Sequence, residues 1–385
     1  MITEPRPLRV THLASGDLWA GAESQLFDLV RALREERDIE VDVVLLNEGL
    51  LAARLRAASV PVTVFDERRL AALPLVRALR AHVRRAGTRV LHTHRYKENV
   101  LGAVVALTTP GLRTLRTVHG ASETAPGRFD LRRLLQRRLD WACARFVQWP
   151  VVCVSEPLRT HLLESLPASR LRVVENGIDV TALERRAQAS VTIPGDAGRF
   201  TVGYFGRLTP VKRVDLVIEI ARCLEDASPG DFRLLIFGDG PLREELEAMV
   251  RERGLEHCVR FMGFADEPAA YLRQMDALVL TSDHEGLPMV VLEAMTLRVP
   301  VVSHAVGAIP ALLEDSRAGT SIDGQDPRRY AEAIIERRDA ADATEAMVER
   351  AYRRVVERFS STRAAREYIA LYTSMDERAG ARRVP

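Results

Sequence analysis

The stretch TSDHEGLPMVVLEAMTLRVP, residues 281–300, connects two short apolar segments, ALVLTS (277–282) and VPVVSH (299–304). Its second half carries apolar residues at helical spacing, and Pro288 suits the first turn of a helix, where its missing N–H costs nothing. We therefore predict a strand, a loop, a helix over 288–297 and a second strand. Glu285 would lie on the loop and Glu293 inside the helix. Each acid is either a solvated surface residue or part of an anion-binding site at a helix N-terminus.

The same alternation of strand and helix extends in both directions through the chain. One series runs from PLRVTHLAS (7–15) to LRVVENGID (171–179), and a second runs from RFTVGYFG (199–206) to VPVVSH (299–304). Between them ASVTIPGDAGR (189–199) loses periodicity and gains Pro and Gly, as a linker does. Alternation at this pitch predicts right-handed β-α-β units and parallel sheets covered by helices. The fold class is therefore α/β, with two doubly wound Rossmann-like domains facing across a cleft and a helical C-terminus.

The length of the chain supports this division into domains. A chain of 385 residues is too long for one ordinary hydrophobic core. We place a first domain at 1–185 and a second at 186–360. The remaining segment, 361–385, is predicted to be a helix that crosses back to the first domain, followed by a tail.

Composition excludes several classes of protein. The formal net charge of +2 argues against a general nucleic-acid-binding protein. No run of eighteen apolar residues is long enough to span a membrane, and MITEPRPLRV (1–10) carries an early acid and leads directly into a strand, so we expect no signal peptide. Four scattered cysteines without a C-x-x-C pair are typical of a reducing compartment. The predicted location is the cytoplasm.

The segment FGRLTPVKR (205–213) follows a predicted strand and precedes a predicted helix. Gly206 lets the backbone approach a ligand closely, while Arg207 and Lys212 bring two cations to one loop. These features predict a site for a diphosphate, although a plain surface loop in an arginine-rich chain is the alternative. Lys212 is one of only two lysines, the other being Lys97. A compact ammonium is thus used where the chain otherwise chooses arginine.

Histidines also collect at the ends of predicted strands. His119 ends one strand, precedes a glycine and would face the cleft, unless it is an ordinary structural residue. His92 and His94 alternate on another strand and so point the same way, but a metal site needs further ligands. No Asp-x-Asp pair occurs in the chain, and the cations at 207 and 212 could neutralise a nucleotide diphosphate instead of Mg²⁺. We predict no metal site.

A basic stretch, GRFDLRRLLQRRLDWACARFVQW (127–149), has the pattern of an amphipathic helix flanked by Trp141 and Trp149. Such a helix can lie on anionic lipid headgroups at the inner face of a membrane. A packed helix with a solvated basic face is the alternative.

Taken together, the motifs of this chain resemble the family 4 glycosyltransferases of the GT-B fold, over nearly the whole length. The resemblance rests on motifs in the family's order: Gly21-x-Glu23, TVHG (117–120), CVSEPL (153–158), ENGID (175–179), GRL…K (206–212), FGDGPLREELE (237–247) and the E-x₇-E pair Glu285 and Glu293. It implies an acceptor-binding first domain and a nucleotide-sugar-binding second domain. The implied reaction is retaining transfer of a hexosyl-type sugar from a UDP- or GDP-sugar to the hydroxyl of a sugar or lipid-linked acceptor. No metal or other cofactor is implied.

The resemblance also implies roles for residues at matching positions. Arg207 and Lys212 would hold the donor diphosphate and stabilise the departing charge. Glu293 would bind the ribose hydroxyls, and Glu285 would lie beside the transferred sugar. His119 would contact that sugar from the opposite domain. The remaining implied contacts are Gly21 near the phosphate and acceptor, Gly206 on the phosphate loop, Gly263 and Phe264 near the base, and Gly286, Leu287 and Pro288 facing the sugar and phosphate.

The chain departs from the family pattern without losing a charged site residue. Arg213 and Arg298 stand at positions where glycine is usual, Gly307-Ala308 replaces Gly-Gly, and Trp19-Ala20-Gly21 replaces a glycine-rich loop. Other activities of the same fold remain as alternatives: a sugar-nucleotide epimerase or hydrolase, and a non-catalytic nucleotide-sugar binder. The predicted biological setting is polysaccharide or glycolipid biosynthesis.

Overall fold

The structure is a computed structural model that describes residues 7–16, 19–120, 131–193 and 198–381. The chain folds into two compact units. Unit 1 comprises the described residues up to Gly177 together with those from Ser361 onward, and unit 2 is Ile178–Ser360. Each unit is described by itself below.

The strands of the described ranges are β1 (Leu8–Ala14), β2 (Ile39–Leu45), β3 (Val62–Val64), β4 (Val90–Thr93), β5 (Arg113–Val118), β6 (Val151–Cys153), β7 (Leu171–Val173), β8 (Phe200–Phe205), β9 (Phe232–Phe237), β10 (Val259–Gly263), β11 (Ala277–Leu280), β12 (Val301–His304) and β13 (Thr320–Ile322).

The α-helices of the same ranges are α1 (Gly21–Arg34), α2 (Leu50–Ala57), α3 (Ala72–Ala86), α4 (Tyr96–Thr108), α5 (Leu131–Ala142), α6 (Glu156–Leu162), α7 (Val180–Arg186), α8 (Val214–Ala227), α9 (Arg243–Glu252), α10 (Pro268–Leu272), α11 (Met289–Thr296), α12 (Ile309–Leu312), α13 (Pro327–Asp339), α14 (Ala341–Arg358) and α15 (Ser361–Ala381).

Each unit contains one parallel sheet. In unit 1 the strand order is β3-β2-β1-β4-β5-β6-β7, and in unit 2 it is β10-β9-β8-β11-β12-β13. Both orders reverse once, between β1 and β4 and between β8 and β11. In doubly wound sheets ligands bind at such a reversal, outside the carboxyl ends of the strands. The predicted fold class of two parallel-sheet Rossmann-like units with a helical C-terminus is confirmed.

The strands are apolar on both faces, as parallel strands covered by helices are. In β8, for instance, only Phe200 is partly exposed. The core of unit 1 also takes in helix α15, whose residues Tyr368, Tyr372 and Met375 are buried against β1, β2 and α1. Burying an aromatic side chain of this size is worth about 1.5–3 kcal/mol. Helix α15 is therefore a structural part of unit 1.

Local signals explain where several helices begin. Ser155 and Asp179 accept hydrogen bonds from backbone N–H groups in the first turns of α6 and α7, at 3.4 and 2.9 Å. Asp326 does the same for α13, which then has Pro327 in its first turn. Helix α11 begins one residue after Pro288, so the proline precedes the first turn that was predicted to contain it.

The boundary between units differs from the predicted one. The chain leaves unit 1 between Gly177 and Ile178, so α7, which the predicted boundary at 185 assigned to the first domain, lies in unit 2. The reason is packing, because Leu183 of α7 is buried and the helix lies against α10 and α11. The loss of periodicity at 189–199 therefore marks a loop inside unit 2, of which 194–197 lie outside the described residues.

The predicted basic helix is shorter than 127–149. Residues 127–130 lie outside the described ranges, α5 ends at Ala142, and a turn of π-helix follows at Cys143–Val147. Among the described residues no helix is both long enough and apolar enough to cross a membrane.

Candidate functional site

Lys212 and Glu285 face each other where the strand order of unit 2 reverses. Lys212 comes from the loop after β8, and Glu285 comes from the loop after β11. Nζ of Lys212 donates to Oε1 of Glu285 at 2.6 Å, with 21% of the lysine side chain and 9% of the glutamate side chain exposed. A charge-assisted hydrogen bond of this kind is stronger than a neutral one. It holds one cation and one anion at the position where this fold binds ligands.

The loop that carries Lys212 is tied to the loop that carries Glu285 by the backbone. The hydroxyl of Thr281 donates to the carbonyl oxygens of Lys212 and Arg213, at 3.0 and 2.9 Å. The N–H of Asp283 donates to the carbonyl of Val211 at 2.8 Å. These bonds fix the separation of the two loops before any ligand is present. Sequence reasoning did not single out Thr281, because nothing in its surroundings marks it as a bridging residue.

Arg213 explains one departure from the family pattern. A short 3₁₀ turn, Pro210–Lys212, ends at Arg213, whose φ of 49° lies in the left-handed region that favours glycine. The guanidinium binds the carboxylate of Asp215 through Nε and Nη2 at 3.0–3.2 Å and also donates to Oε1 of Gln325. Gln325 in turn donates to Asp283 at 2.5 Å. Side-chain hydrogen bonds therefore stabilise a backbone conformation that glycine would adopt without strain.

Two glycines allow loops to approach each other closely at the carboxyl edge of the unit 2 sheet. Gly238 follows β9 with a φ of 129°, and a Cβ there would lie 1.9 Å from the carbonyl oxygen of Gly206. Gly307 follows β12 with a φ of 56°, and its Cβ would lie 1.9 Å from the carbonyl oxygen of Glu285. Ala308 donates its N–H to Gly286 at 3.3 Å. Position 308, where the family usually has the second glycine of Gly-Gly, thus needs only a backbone N–H, which alanine supplies.

The remaining predicted residues of unit 2 lie on the same edge of its sheet. Arg207 is exposed, and its carbonyl accepts a hydrogen bond from the buried Tyr204 hydroxyl at 3.2 Å. Burial, with the nearby carboxylate of Glu285, raises the pKa of Tyr204, so this hydroxyl stays protonated and remains a donor. Tyr204 was not identified from the sequence. Its pattern is that of an ordinary buried strand residue.

Glu293 lies in the second turn of α11 and is partly exposed, while Leu287 and Pro288 are buried in the loop before that helix. Gly263 ends β10 with a φ of 72°, and its carbonyl accepts from the N–H of Gly238 at 2.8 Å. Phe264, one residue later, is 54% exposed. The structure brings all of these loops to one edge of the sheet.

Gly21 and His119 lie in unit 1, at the carboxyl edge of its own sheet. Gly21 is the exposed first residue of α1, where the backbone N–H of Ala20 donates to the carboxylate of Glu23 at 3.2 Å. His119 follows β5, and its Nε2 is 3.2 Å from Nδ1 of His94. Burial, with a further contribution from Arg95, lowers the pKa of His119 to about 4. The imidazole is therefore neutral near pH 7.

Unit 1 contains two polar residues at this edge that the sequence did not reveal. His12 of β1 lies beside His94, with its Nδ1 3.0 Å from Nε2 of that residue. Glu98 of α4 is buried and accepts a hydrogen bond from the hydroxyl of Ser15 at 2.5 Å, and burial raises the pKa of its carboxyl. The only signal for either was its position near a strand end, which many structural residues share.

Comparison with known proteins places this arrangement in a family. Residues 19–182 match the family described as Glycosyltransferase Family 4, and residues 199–338 match the one described as Glycosyl transferases group 1. The chain belongs to the family 4 glycosyltransferases. The two matches cover both units and include every predicted site residue of this family 4 chain.

Two curated relatives show the range of similarity. The chain is 23% identical over 225 residues to the poly(ribitol-phosphate) alpha-N-acetylglucosaminyltransferase of Staphylococcus aureus, covering 58% of this chain and 44% of that protein. It is 30% identical over 214 residues to a putative colanic acid biosynthesis glycosyltransferase, WcaL, of Salmonella typhimurium, covering 53% and 51%. The chain therefore spans about half the length of these relatives.

Solved structures give the same fold over almost the whole chain. The HepE protein of Anabaena, crystallised in complex with UDP-glucose, superposes with a TM-score of 0.80 at 23% identity, covering 95% of this chain and 100% of that one. Structural neighbours of this kind are GT-B glycosyltransferases. The family 4 chain thus has the GT-B fold that its motifs implied.

Proposed function

We propose that this family 4 protein is a retaining, metal-independent glycosyltransferase. It moves a hexosyl-type sugar from a UDP- or GDP-sugar to a hydroxyl acceptor in polysaccharide or glycolipid biosynthesis. The observation that carries the proposal is the Lys212–Glu285 pair at the strand-order reversal of unit 2, 2.6 Å apart. It offers a cation for a phosphate and a carboxylate for sugar hydroxyls within one small volume.

Arg207 and Lys212 bind the donor diphosphate in this proposal. Lysine presents three rotatable N–H donors on a compact ammonium, so Lys212 can keep one bond to Glu285 and direct the others at phosphate oxygens. Arg207 is exposed and adds a second cation on the same loop. Two fixed positive charges stabilise the negative charge that develops on the leaving diphosphate. They do the work for which other nucleotide enzymes use Mg²⁺.

The two glutamates, Glu285 and Glu293, bind different parts of the donor in this proposal. Glu293 lies in the second turn of α11, and its carboxylate accepts hydrogen bonds from the vicinal hydroxyls of the ribose. Glu285 is held by Lys212 from one side, and its backbone lies against Gly307 on another. Glu285 therefore accepts hydrogen bonds from the transferred sugar in a position that cannot easily shift.

The contact between Glu285 and Lys212 supports the proposal that the configuration is retained. A carboxylate bonded to Lys212 has part of its charge neutralised, which suits hydroxyl binding better than attack on the anomeric carbon. The departing phosphate is then the available base, and it removes the acceptor proton from the face on which the leaving group departs. The new glycosidic bond forms on that same face.

The names of two relatives support an acceptor that is part of a carbohydrate-containing polymer. The Staphylococcus aureus relative is named for poly(ribitol-phosphate), and the Salmonella typhimurium relative is named for colanic acid biosynthesis. The HepE structure was solved with UDP-glucose, which favours a UDP-sugar over a GDP-sugar as donor. We propose a sugar or lipid-linked acceptor of this polymeric kind.

We also propose that α5 and the turn after it contact the cytoplasmic face of a membrane. Leu135 and Phe146 are 67% and 65% exposed, and Leu139 and Trp141 are also exposed. The same segment contains Arg137, Arg138 and Arg145. Exposed apolar side chains interleaved with arginine suit an interface with anionic headgroups. Leu135→Ser with Phe146→Ser should reduce sedimentation with phosphatidylglycerol vesicles, while phosphatidylcholine vesicles serve as the control.

The activity test uses the full chain with UDP- and GDP-sugars in EDTA, and follows nucleotide release with and without candidate glycan acceptors. Transfer predicts release that rises with an acceptor and a product whose anomeric configuration matches that of the donor, as read by NMR. Release that no acceptor changes would indicate a hydrolase or epimerase instead. Binding of donor without any release would indicate a nucleotide-sugar sensor.

A further inference from the structure

Four histidines of unit 1 lie together at the carboxyl ends of three adjacent strands. His12 and His92 are paired residues of β1 and β4, His94 follows β4, and His119 follows β5. Consecutive rings stack, with centroids 4.2 Å apart for His92 and His94 and 5.5 Å apart for His94 and His119. Sequence reasoning predicted that His92 and His94 point the same way and that His119 ends a strand, but it did not single out His12 or bring the four residues together.

Three of these rings form one hydrogen-bonded chain, which we call the imidazole chain. Nδ1 of His12 is 3.0 Å from Nε2 of His94, and Nδ1 of His94 is 3.2 Å from Nε2 of His119. The two terminal nitrogens, Nε2 of His12 and Nδ1 of His119, are buried and have no hydrogen-bond partner among the described residues. Every internal nitrogen is thus paired, and only the two ends are open.

The three rings are neutral, so the number of N–H protons on them is fixed. Burial lowers the pKa of His12 to about 3 and that of His119 to about 4, and it lowers the pKa of His94 well below its usual range. The charged neighbours are Asp42 beside His12 and Arg95 beside the other two. A neutral imidazole carries one N–H and one acceptor nitrogen. Three rings therefore carry three N–H groups for two internal hydrogen bonds.

The third N–H must lie at one end of the chain. Either every ring donates toward His119, and Nδ1 of His119 carries the spare proton, or every ring donates toward His12, and Nε2 of His12 carries it. A mixed arrangement would leave two acceptors or two donors facing each other inside the chain. The tautomers of the three rings are therefore coupled, and His119 cannot change tautomer without the other two.

His92 stands beside this chain and is anchored separately. Its Nδ1 is 2.7 Å from the hydroxyl of Tyr372, and its Nε2 is 2.7 Å from Oγ1 of Thr117. Thr117 in turn is 2.7 Å from the hydroxyl of Tyr368. Both tyrosines belong to α15. The stacked ring of His92 is thereby fixed from both sides and supports the imidazole chain without joining it.

A metal ion is the competing explanation for such a cluster. His12, His92 and His94 bring candidate ligand atoms within 4.8 Å of one another. Both nitrogens of His92 and of His94 are already engaged in hydrogen bonds, however, so a metal would have to break several of them. The hydrogen bonds favour the proton-coupled chain over a metal centre.

We propose that His12 and His94 are positioning residues that set the tautomer and ring orientation of His119 through the imidazole chain. The significance of this for sugar transfer rests on the proposed function, together with the contact to the donor sugar that the family resemblance implies for His119. Whether Nδ1 of His119 donates or accepts is then tied to the tautomer of His12, two rings away. The coupling itself does not depend on any activity.

The test is ¹⁵N NMR of histidine-labelled full-length protein, which reports the tautomer of each ring. The imidazole chain predicts one common ratio of Nδ1–H to Nε2–H tautomers for His12, His94 and His119. His94→Phe removes both hydrogen bonds of the imidazole chain, so the ratios of His12 and His119 should then differ from each other. His161→Phe is the control, because His161 is an exposed histidine of α6 in unit 1 and does not belong to the imidazole chain. It should leave the His119 ratio unchanged.

Two results would overturn the proposal. One is a wild-type spectrum in which His12, His94 and His119 have clearly different tautomer ratios, a result that does not depend on any variant folding. The other is a stoichiometric metal ion in the purified wild-type protein that is lost in His12→Phe. Because the spectra need neither donor nor turnover, failure here is distinguishable from failure of the proposed transferase activity.

Discussion

The carbonyl oxygen of Glu285 occupies the space in which a side chain at Gly307 would begin. A Cβ at position 307 would lie 1.9 Å from that oxygen, and the φ of Gly307 is 56°. The loop after β12 therefore supports the backbone of Glu285, although the two residues are far apart in the sequence.

Gly307→Ala should reduce turnover by at least about tenfold, because a displacement of about 1 Å in a site can cost that much or more. Alanine at this position must push the Glu285 backbone away. Gly324→Ala is the matched control, since its φ of 83° imposes similar strain but its Cβ would meet nothing within 4 Å. Steady-state kinetics of both variants check the prediction, and equal losses would show that strain alone is responsible.

Breaking the Lys212–Glu285 pair should cost both stability and donor binding. Lys212→Met leaves a carboxylate that is 9% exposed without its cation, and we expect the free energy of unfolding to fall by about 1–3 kcal/mol. The loss in donor affinity should be at least about tenfold, equivalent to about 1.4 kcal/mol. Denaturant unfolding and calorimetric titration with UDP-glucose provide the measurements.

The control for that variant is Arg222→Met. Arg222 pairs with two acids, Asp226 at 2.8 Å and Glu219 at 3.2 Å, and its own side chain is 43% exposed, about twice the exposed fraction of the Lys212 side chain. An exposed pair contributes about 0–1 kcal/mol. If Lys212→Met were no more destabilising than Arg222→Met, the buried pair would not be a stabilising contact.

Arg298 has the same backbone property as Arg213. Its φ is 57°, its Nε donates to Glu349, and its guanidinium lies 3.7 Å from the ring centroid of Tyr352. Arg298→Gly removes the left-handed strain together with these contacts, whereas Arg298→Ala removes only the contacts. We expect the glycine variant to be more stable than the alanine variant by about 1 kcal/mol. Thermal unfolding of the pair checks this, and the reverse order would contradict it.

The buried histidines of unit 1 should make the protein sensitive to acid. The pKa values of His12 and His119 are lowered to about 3 and about 4 from 6.5, so in this interval the unfolded chain binds protons that the folded chain does not. The contribution of these histidines to the free energy of unfolding is therefore fully present above about pH 6.5. It falls as the pH drops toward 4, by up to about 1.4 kcal/mol per pH unit for each histidine.

The check is denaturant unfolding of the wild type and His12→Phe between pH 7 and pH 5. As the pH is lowered, the free energy of unfolding should fall less steeply for the variant than for the wild type. The difference in slope should correspond to one proton fewer taken up on unfolding. Identical slopes would mean that His12 is not neutral in the folded state.

Much of the fold follows from local pattern. The alternation of apolar strands with amphipathic helices is repeated so often that both parallel sheets were predicted, and FGRLTPVKR was assigned to a strand end on its residue types alone. The positive φ of Arg213 and Arg298 was not predicted, although both stand at positions where glycine is usual, because arginine itself does not favour that conformation. Their guanidinium groups are held by surrounding acceptors, which include Asp215, Gln325 and Glu349.

Long-range relationships account for the rest of what was missed. His12 and His94 are 82 residues apart, and Tyr372 lies 280 residues from His92. No spacing rule connects such positions before the sheet is assembled. The boundary at Gly177 was missed for a related reason, since α7 is assigned to unit 2 by the helices it packs against and not by its own composition.

The position of α15 has a consequence for how the protein is made. Unit 2 is one continuous segment, whereas unit 1 needs α15, which follows unit 2 in the chain. The ribosome synthesises the chain from the N-terminus, so unit 1 cannot complete its core with Tyr368 and Tyr372 until the whole of unit 2 has been synthesised. Although nascent chains usually complete their N-terminal domain first, here the second unit can close while the first still lacks its last helix.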